Sequence, residues 1–215
     1  MKASKIKTRE GKSTKLAELL DEARDRAVKM FEERLKSEDG SVKVQVEQEK
    51  LHETAERMGI SAIKYYDLKQ NRTQNYVFSF DKMLDPRGNT GVYLLYAYVR
   101  ILSIMAKANN GAGESLEKLK LDDQNGFRIS AAEEKALAMT ILRLPEQLEL
   151  ATDKLQLNCL CDQLYEIATK ISEFYSSCKV LGEAEEDSRI LLLESTKKVM
   201  EVCFDLLGMK TIEKI

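Results

Sequence analysis

The sequence predicts a mainly α-helical protein: an antiparallel helical bundle over its second half, preceded by a helical segment that carries one short strand. Three observations lead there. Apolar residues recur at three- and four-residue spacing along most of the chain, the period of an amphipathic helix. Four such stripes follow one another beyond residue 88, and each needs partners to bury its apolar side. Alternation of the strand kind occurs convincingly once, over residues 75–81.

In chain order, the first fifteen residues hold six Lys+Arg and one Glu, and with Gly11 they read as a cationic loop. From Thr14 to about Lys36, the positions Leu16, Leu19, Leu20, Ala23, Ala27, Met30, Phe31 and Leu35 keep the helix period, and Asp39-Gly40 closes that helix in a turn. A weaker helical pattern runs from about Gln45 to Met58 and stops at Gly59. A third, with Ile60, Ile63, Lys64 and Asp67, follows it. Tyr76, Phe78 and Phe80 then alternate with smaller residues as in a strand.

Asp85-Pro86-Arg87-Gly88 marks a loop, and a domain boundary is expected between Leu84 and Gly88, giving units of 1–84 and 85–215. Beyond it, Val92, Leu95, Tyr96, Val99 and Leu102 form the first stripe, stopped at Asn110-Gly111. Ser130 with Glu133 makes a capping box for the second helix, which Pro145 kinks or breaks. Leu157, Leu160, Leu164, Ile167, Ile171, Phe174 and Cys178 form the third stripe. Ile190, Leu193, Val199, Met200, Cys203 and Leu207 form the fourth, closed by Gly208. The acidic run from Glu183 to Asp187 reads as an exposed loop between the last two helices.

With 215 residues, 43% hydrophobic and 33% charged, the chain can bury one substantial core or two small ones. No apolar stretch is long enough to span a membrane or to act as a secretory signal, so a cytosolic address is expected. Cys159, Cys161, Cys178 and Cys203 lie in helical patterns and read as buried free thiols. His52 is the single histidine and reads as a helix-surface residue; neither a metal centre nor a histidine-dependent triad is supported. Residues 1–107 hold 21 Lys+Arg against 16 Asp+Glu, and residues 108–215 hold 13 against 20, so a polyanion is expected to dock on the N-terminal half.

On residue chemistry alone, the leading candidate site is the basic loop. Lys5, Lys7, Arg9 and Lys12 beside Gly11 could wrap transferring phosphates and neutralise developing charge. A disordered basic N-terminus is the alternative, and no phosphate-loop signature of the Gly-Lys-Ser/Thr kind is present to decide between them.

The strings KIKTREGKSTKLAELLDEA, IKYYDLKQNRTQNYVFSFDKML, RGNTGVYLLYAYVRI, LRLPEQLE and CFDLLGMKTIEKI occur in this order over nearly the whole chain. Together they resemble arginyl-tRNA synthetase, a class I aminoacyl-tRNA synthetase. The resemblance implies the helical anticodon-binding domain at 85–215 and, at 1–84, the end of the nucleotide-binding catalytic domain with a connection to the tRNA stem. It sets Lys5 to Gly11 in the place of the KMSKS loop, which makes Lys5, Lys7, Thr8 and Arg9 the catalytic candidates. It sets Ile63 to Arg72 near the inside of the tRNA, where Lys64, Lys69 and Arg72 would face phosphates. Arg87, Asn89, Tyr93, Tyr96 and Arg100 would then meet the unstacked anticodon bases, each aromatic stack contributing ~1–3 kcal/mol. Ile215 would lie close to the anticodon.

Core packing is the competing role for Tyr93, Tyr96 and Tyr98. At roughly 100° per residue Tyr96 and Tyr98 point about 200° apart, so at least one of the three should be exposed. No HIGH-like signature occurs, so the amino-acid and adenine pockets are expected outside these 215 residues, and this part alone should activate no arginine. The resemblance implies a parent arginine–tRNA ligase of the cytoplasm that uses ATP with Mg2+, with no cofactor or metal held by this part. Its implied partners are arginine tRNA, arginine and ATP, with a multi-synthetase assembly as a further candidate and neither membrane nor DNA. Two alternatives stand beside it: a helical protein-interaction module derived from a synthetase, and the anticodon-binding domain of another class I synthetase.

Overall fold

The computed structural model describes residues 15–35, 48–108, 111–121 and 126–213. Helix α1 (Leu16–Leu35) lies along α2 (Gln48–Leu68), the most extensive helix pairing in the chain. The seam is made of small residues: Ala23, Ala27, Ala55 and Ala62 are fully buried. A Cβ at Gly59 would sit 2.8 Å from the carbonyl oxygen of Ala23, so glycine is what lets the two backbones approach. The expected helix stop at Gly59 is therefore corrected. One helix runs through it, and its glycine serves packing instead of termination.

The expected strand over 75–81 is also corrected. Among the described residues there is no strand; residues 75–79 are irregular and lead into a single helical turn, α3 (Phe80–Met83), capped by the Ser79 hydroxyl. The alternating aromatics pack on α2 instead of joining a ladder. Tyr76 and Phe78 meet the Tyr66 ring edge-on at 5.9 and 5.8 Å, Phe78 meets Phe80 at 5.0 Å, and the Tyr66 hydroxyl donates to the Val77 carbonyl at 3.0 Å. A strand needs a neighbour whose backbone groups are free, and every described neighbour is a helix that has already used its own.

The second half begins with α4 (Gly91–Met105), the central helix, which contacts α2, α8 and α9. Val92, Leu95 and Val99 of the expected stripe are buried, and so are Leu94, Ala97, Tyr98, Ile101 and Ile104, because neighbours cover more than one face. Thr90 caps it by accepting from the Tyr93 amide at 3.1 Å. Gly91 permits the crossing with α2: its Cβ would lie 3.1 Å from the Ala62 Cα. Helix α5 (Ala112–Leu121), which the sequence reading did not separate, packs on α9, and the Ser115 hydroxyl donates to Asp187 at 2.7 Å.

Pro145 does break the second expected helix, into α6 (Ala132–Leu142) and α7 (Leu144–Lys154), with Pro145 in the first turn of α7. The capping carboxylate of α6 is Glu134, not Glu133: it accepts from the amides of Ser130 and Ala131 at 2.7 and 3.0 Å. Glu134 is pinned there by Arg189 of α9 (Glu186–Leu206) at 2.6 Å. Helix α8 (Asn158–Ser177) buries Leu160, Leu164, Ile167, Ile171 and Phe174 as the stripe requires, each contributing about 1.5–3 kcal/mol.

The acidic run before α9 is only partly an exposed loop. Glu186 is buried, and its carboxylate accepts from the Gly182 amide at 2.6 Å to close the turn. Gly208, at φ +63°, closes α9 as expected. Leu207, Met209 and Ile212 then fold back into the same apolar cluster that joins α1 and α2 to the bundle. Cys161, Cys178 and Cys203 are buried free thiols and Cys159 is half-buried; His52 is exposed on α2.

Candidate nucleic-acid interface

The end of α2, the loop 84–90 and α4 meet through hydrogen bonds that begin with buried tyrosine. Tyr65 is fully buried, and its hydroxyl faces the Asn89 Oδ1 at 2.5 Å and the Cys161 carbonyl at 3.0 Å. Burial drives its pKa far above the ordinary phenol value, so it stays a neutral donor. Lys69, one turn on, donates to the Asn89 carbonyl at 2.6 Å and lies over the Tyr66 ring at 4.9 Å. Burial holds its ammonium below the ordinary lysine value. Inside the loop, the Asp85 side chain accepts from the Arg87 amide at 2.9 Å, and the Thr90 hydroxyl donates to the Asp85 carbonyl at 2.6 Å. The result is a braced loop that presents Arg87 outward, its side chain 88% exposed.

The expected site residues fall into distinct settings. Tyr93 is half-buried: its hydroxyl lies 3.1 Å from the Ser172 Oγ, and its ring meets Tyr165 edge-on at 6.0 Å. Tyr96 is half-buried against the core. Tyr98 is buried and donates to Glu201 at 2.6 Å. The expectation that at least one of the three is exposed is corrected: Tyr93 and Tyr96 are half-buried and Tyr98 is buried, with α8 covering Tyr93 and α9 covering Tyr98. Arg100 is exposed and stacks over the Tyr175 ring at 5.0 Å. Arg72 is exposed, and Lys64 is exposed with its ammonium donating to the Gly208 carbonyl. Lys5, Lys7, Thr8, Arg9 and Ile215 lie outside the described residues.

Tyr93, Tyr96 and Arg100 share a face at three- and four-residue spacing, and α8 lays Tyr165, Ser172 and Tyr175 against part of it. A half-exposed aromatic surface edged by guanidinium is suited to stacking unpaired bases, with cation–π support from Arg100. Sequence reasoning missed the contribution of α8. Tyr165 and Tyr175 carry a weak signal, the only tyrosines of the third stripe at positions off the apolar seam. A concavity of about 560 Å³ lies between α1 and α3 and is lined by residues of both signs, among them Glu22, Arg26, Lys29 and Asp81. Arg26 bridges it, paired with Asp81 at 3.0 Å and stacked on Phe80 at 4.8 Å. Among the described residues no cluster of His, Cys, Asp and Glu could hold a metal ion, and no helix is long and apolar enough to cross a membrane.

Comparison with known proteins adds two family models, the DALR anticodon binding domain over residues 94–215 and the class I (R) tRNA synthetase catalytic domain over residues 1–80. The cytoplasmic arginine–tRNA ligase of Arabidopsis thaliana is 42% identical over 211 residues, which cover 98% of this chain and 34% of that protein. The cytoplasmic arginine–tRNA ligase of Xenopus tropicalis is 41% identical over 98% of this chain and 32% of its own length. The crystal structure of arginyl-tRNA synthetase from Plasmodium falciparum matches 94% of this chain and 34% of that one, with a TM-score of 0.82 at 33% identity. The chain thus spans about a third of the length of the curated relatives it matches.

Proposed function

The chain belongs to the DALR anticodon-binding domain family, and on that premise we propose that it is the tRNA-binding C-terminal part of a cytoplasmic arginine–tRNA ligase. In this reading residues 1–84 end the catalytic domain and residues 85–215 form the anticodon-binding domain. The parent enzyme joins arginine to arginine tRNA with ATP and Mg2+. The residues assigned to ATP, Lys5, Lys7, Thr8 and Arg9, lie outside the described ones.

The observation that carries the reading is the exposed surface of α4 and α8, where Arg100 lies on Tyr175 inside the segment that the anticodon-binding family model matches. Anticodon bases stack on Tyr96 and Tyr175 and take hydrogen bonds from Arg100, while Arg72 and Arg87 attract phosphates without reading sequence. Lys69 and Asn89 shape the surface through the bonds they make to each other and to Tyr65. Tyr93, half-covered by Tyr165, offers an edge of its ring.

A filter-binding titration at two salt concentrations tests this. Arginine tRNA is expected to bind more tightly than the same transcript with its anticodon replaced, and both are expected to weaken as salt rises. Equal binding of the two transcripts would overturn the anticodon reading.

A further inference from the structure

The Asn89 loop and the C-terminal segment that leads to Ile215, both set near the anticodon by the resemblance, are held by one helix. The Ser61 Oγ accepts from the Lys210 amide at 3.0 Å and donates to the Lys210 carbonyl at 3.3 Å, a two-point grip on a single residue. Ser61 is 1% exposed, so its hydroxyl depends on this partner. Lys64 donates to the carbonyl of Gly208, just past the end of α9, where the negative end of the helix dipole favours a cation. Met209 and Ile212, on either side of Lys210, are buried. One helical step along α2, Tyr65 and Lys69 hold Asn89 through its side chain and its backbone.

Positions 61, 64, 65 and 69 therefore form a stripe at three- and four-residue spacing, and the rise of an α-helix sets the two grips only about 6 Å apart along the axis. The crossing with α4 at Gly91 fixes α2 at the same level, since a Cβ there would lie 3.3 Å from the Ser61 carbonyl. This helix lies in the segment matched by the catalytic-domain family model, whereas Asn89 lies beyond that match and Gly208 and Lys210 fall in the anticodon-binding match.

We propose that α2 is a ruler that keeps the C-terminal segment and the Asn89 loop in register, with Ser61 and Lys64 as positioning residues and Lys64 making no phosphate contact. The clamp itself stands on the geometry above; its effect on RNA rests on the tRNA-binding reading. Substituting an exposed lysine leaves the core intact, so Lys64→Met is a clean probe, and Lys64→Arg keeps a donor for the Gly208 carbonyl.

Two measurements on the 215-residue chain test it. In the first, hydrogen exchange of the Lys210 amide, which Lys64 does not touch directly, is expected to rise about tenfold in Lys64→Met and to return toward wild type in Lys64→Arg. Unchanged exchange in Lys64→Met would overturn the clamp. In the second, Lys64→Met is expected to bind arginine tRNA several-fold more weakly with the salt slope of the wild type. A slope reduced by about 0.7–0.9, the signature of one lost phosphate contact, would overturn the positioning role. If the wild-type chain binds no arginine tRNA, the RNA reading fails, and the exchange result alone upholds or overturns the clamp.

Discussion

At Gly59 a missing side chain decides how two helices meet. Its Cβ would lie 2.8 Å from the Ala23 carbonyl oxygen and 2.9 Å from the carbonyl carbon, both backbone atoms that cannot swing aside. Gly59→Ala is expected to lower stability by about 1–3 kcal/mol, as overpacking does, and denaturant unfolding would read it. An unchanged midpoint would show that α1 can shift freely. Glu134 and Arg189 form the other sensitive pair, both nearly buried. Burial pushes the Glu134 carboxyl up, but the Arg189 guanidinium and two backbone amides outweigh it and leave it below the ordinary value of 4.5. A depressed pKa means stability that is present above 4.5 and lost as pH falls through the lower folded value. Glu134→Gln is expected to cost about 3–5 kcal/mol at neutral pH, and the gap to wild type should close in acid. Denaturant midpoints on either side of that window check the sign. Neither glycine packing nor the pair at 134 and 189 was legible in the sequence. Gly59 and Glu133 suggested a stop and a cap, because local pattern does not show which residue a distant helix will touch.

Among the elements, those read most faithfully were the ones whose pattern is self-contained. The α8 stripe from Leu160 to Phe174 and the Gly208 cap came through as expected, since that burial and a positive φ at the helix end follow from local rules, whereas Leu157, at the start of the expected stripe, caps the helix and is exposed. The segment 75–81 did not, because alternating aromatics serve equally well to pad a helix when no strand partner exists. Tyr93 and Tyr96 lie between these cases: the helix wheel gave their face, but the packing of neighbouring helices sets how much of it remains open. Tyr65 is the element-scale brace, joining α2, the 85–90 loop and α8. Tyr65→Phe keeps the ring and removes one donor for two acceptors, so a loss of about 1–2 kcal/mol is expected, with faster amide exchange in the loop. A neutral outcome would mean that water or Lys69 alone can hold Asn89.

For the whole molecule, the apolar cluster of the described residues passes from α1 and α2 into the bundle. Charge is distributed to match: the basic excess lies in residues 1–107, and Arg72, Arg87 and Arg100 all fall within them. In the proposed function, the α4 and α8 surface around Arg100 and Tyr175 receives the anticodon loop. Nucleotide-resolution footprinting of arginine tRNA with the wild-type chain and with Arg100→Ala/Tyr175→Ala tests it most directly. Protection of the anticodon loop by the wild type, lost in the double variant while any stem protection persists, is the expected result; loop protection that survives the double variant, or that never appears, would contradict the claim.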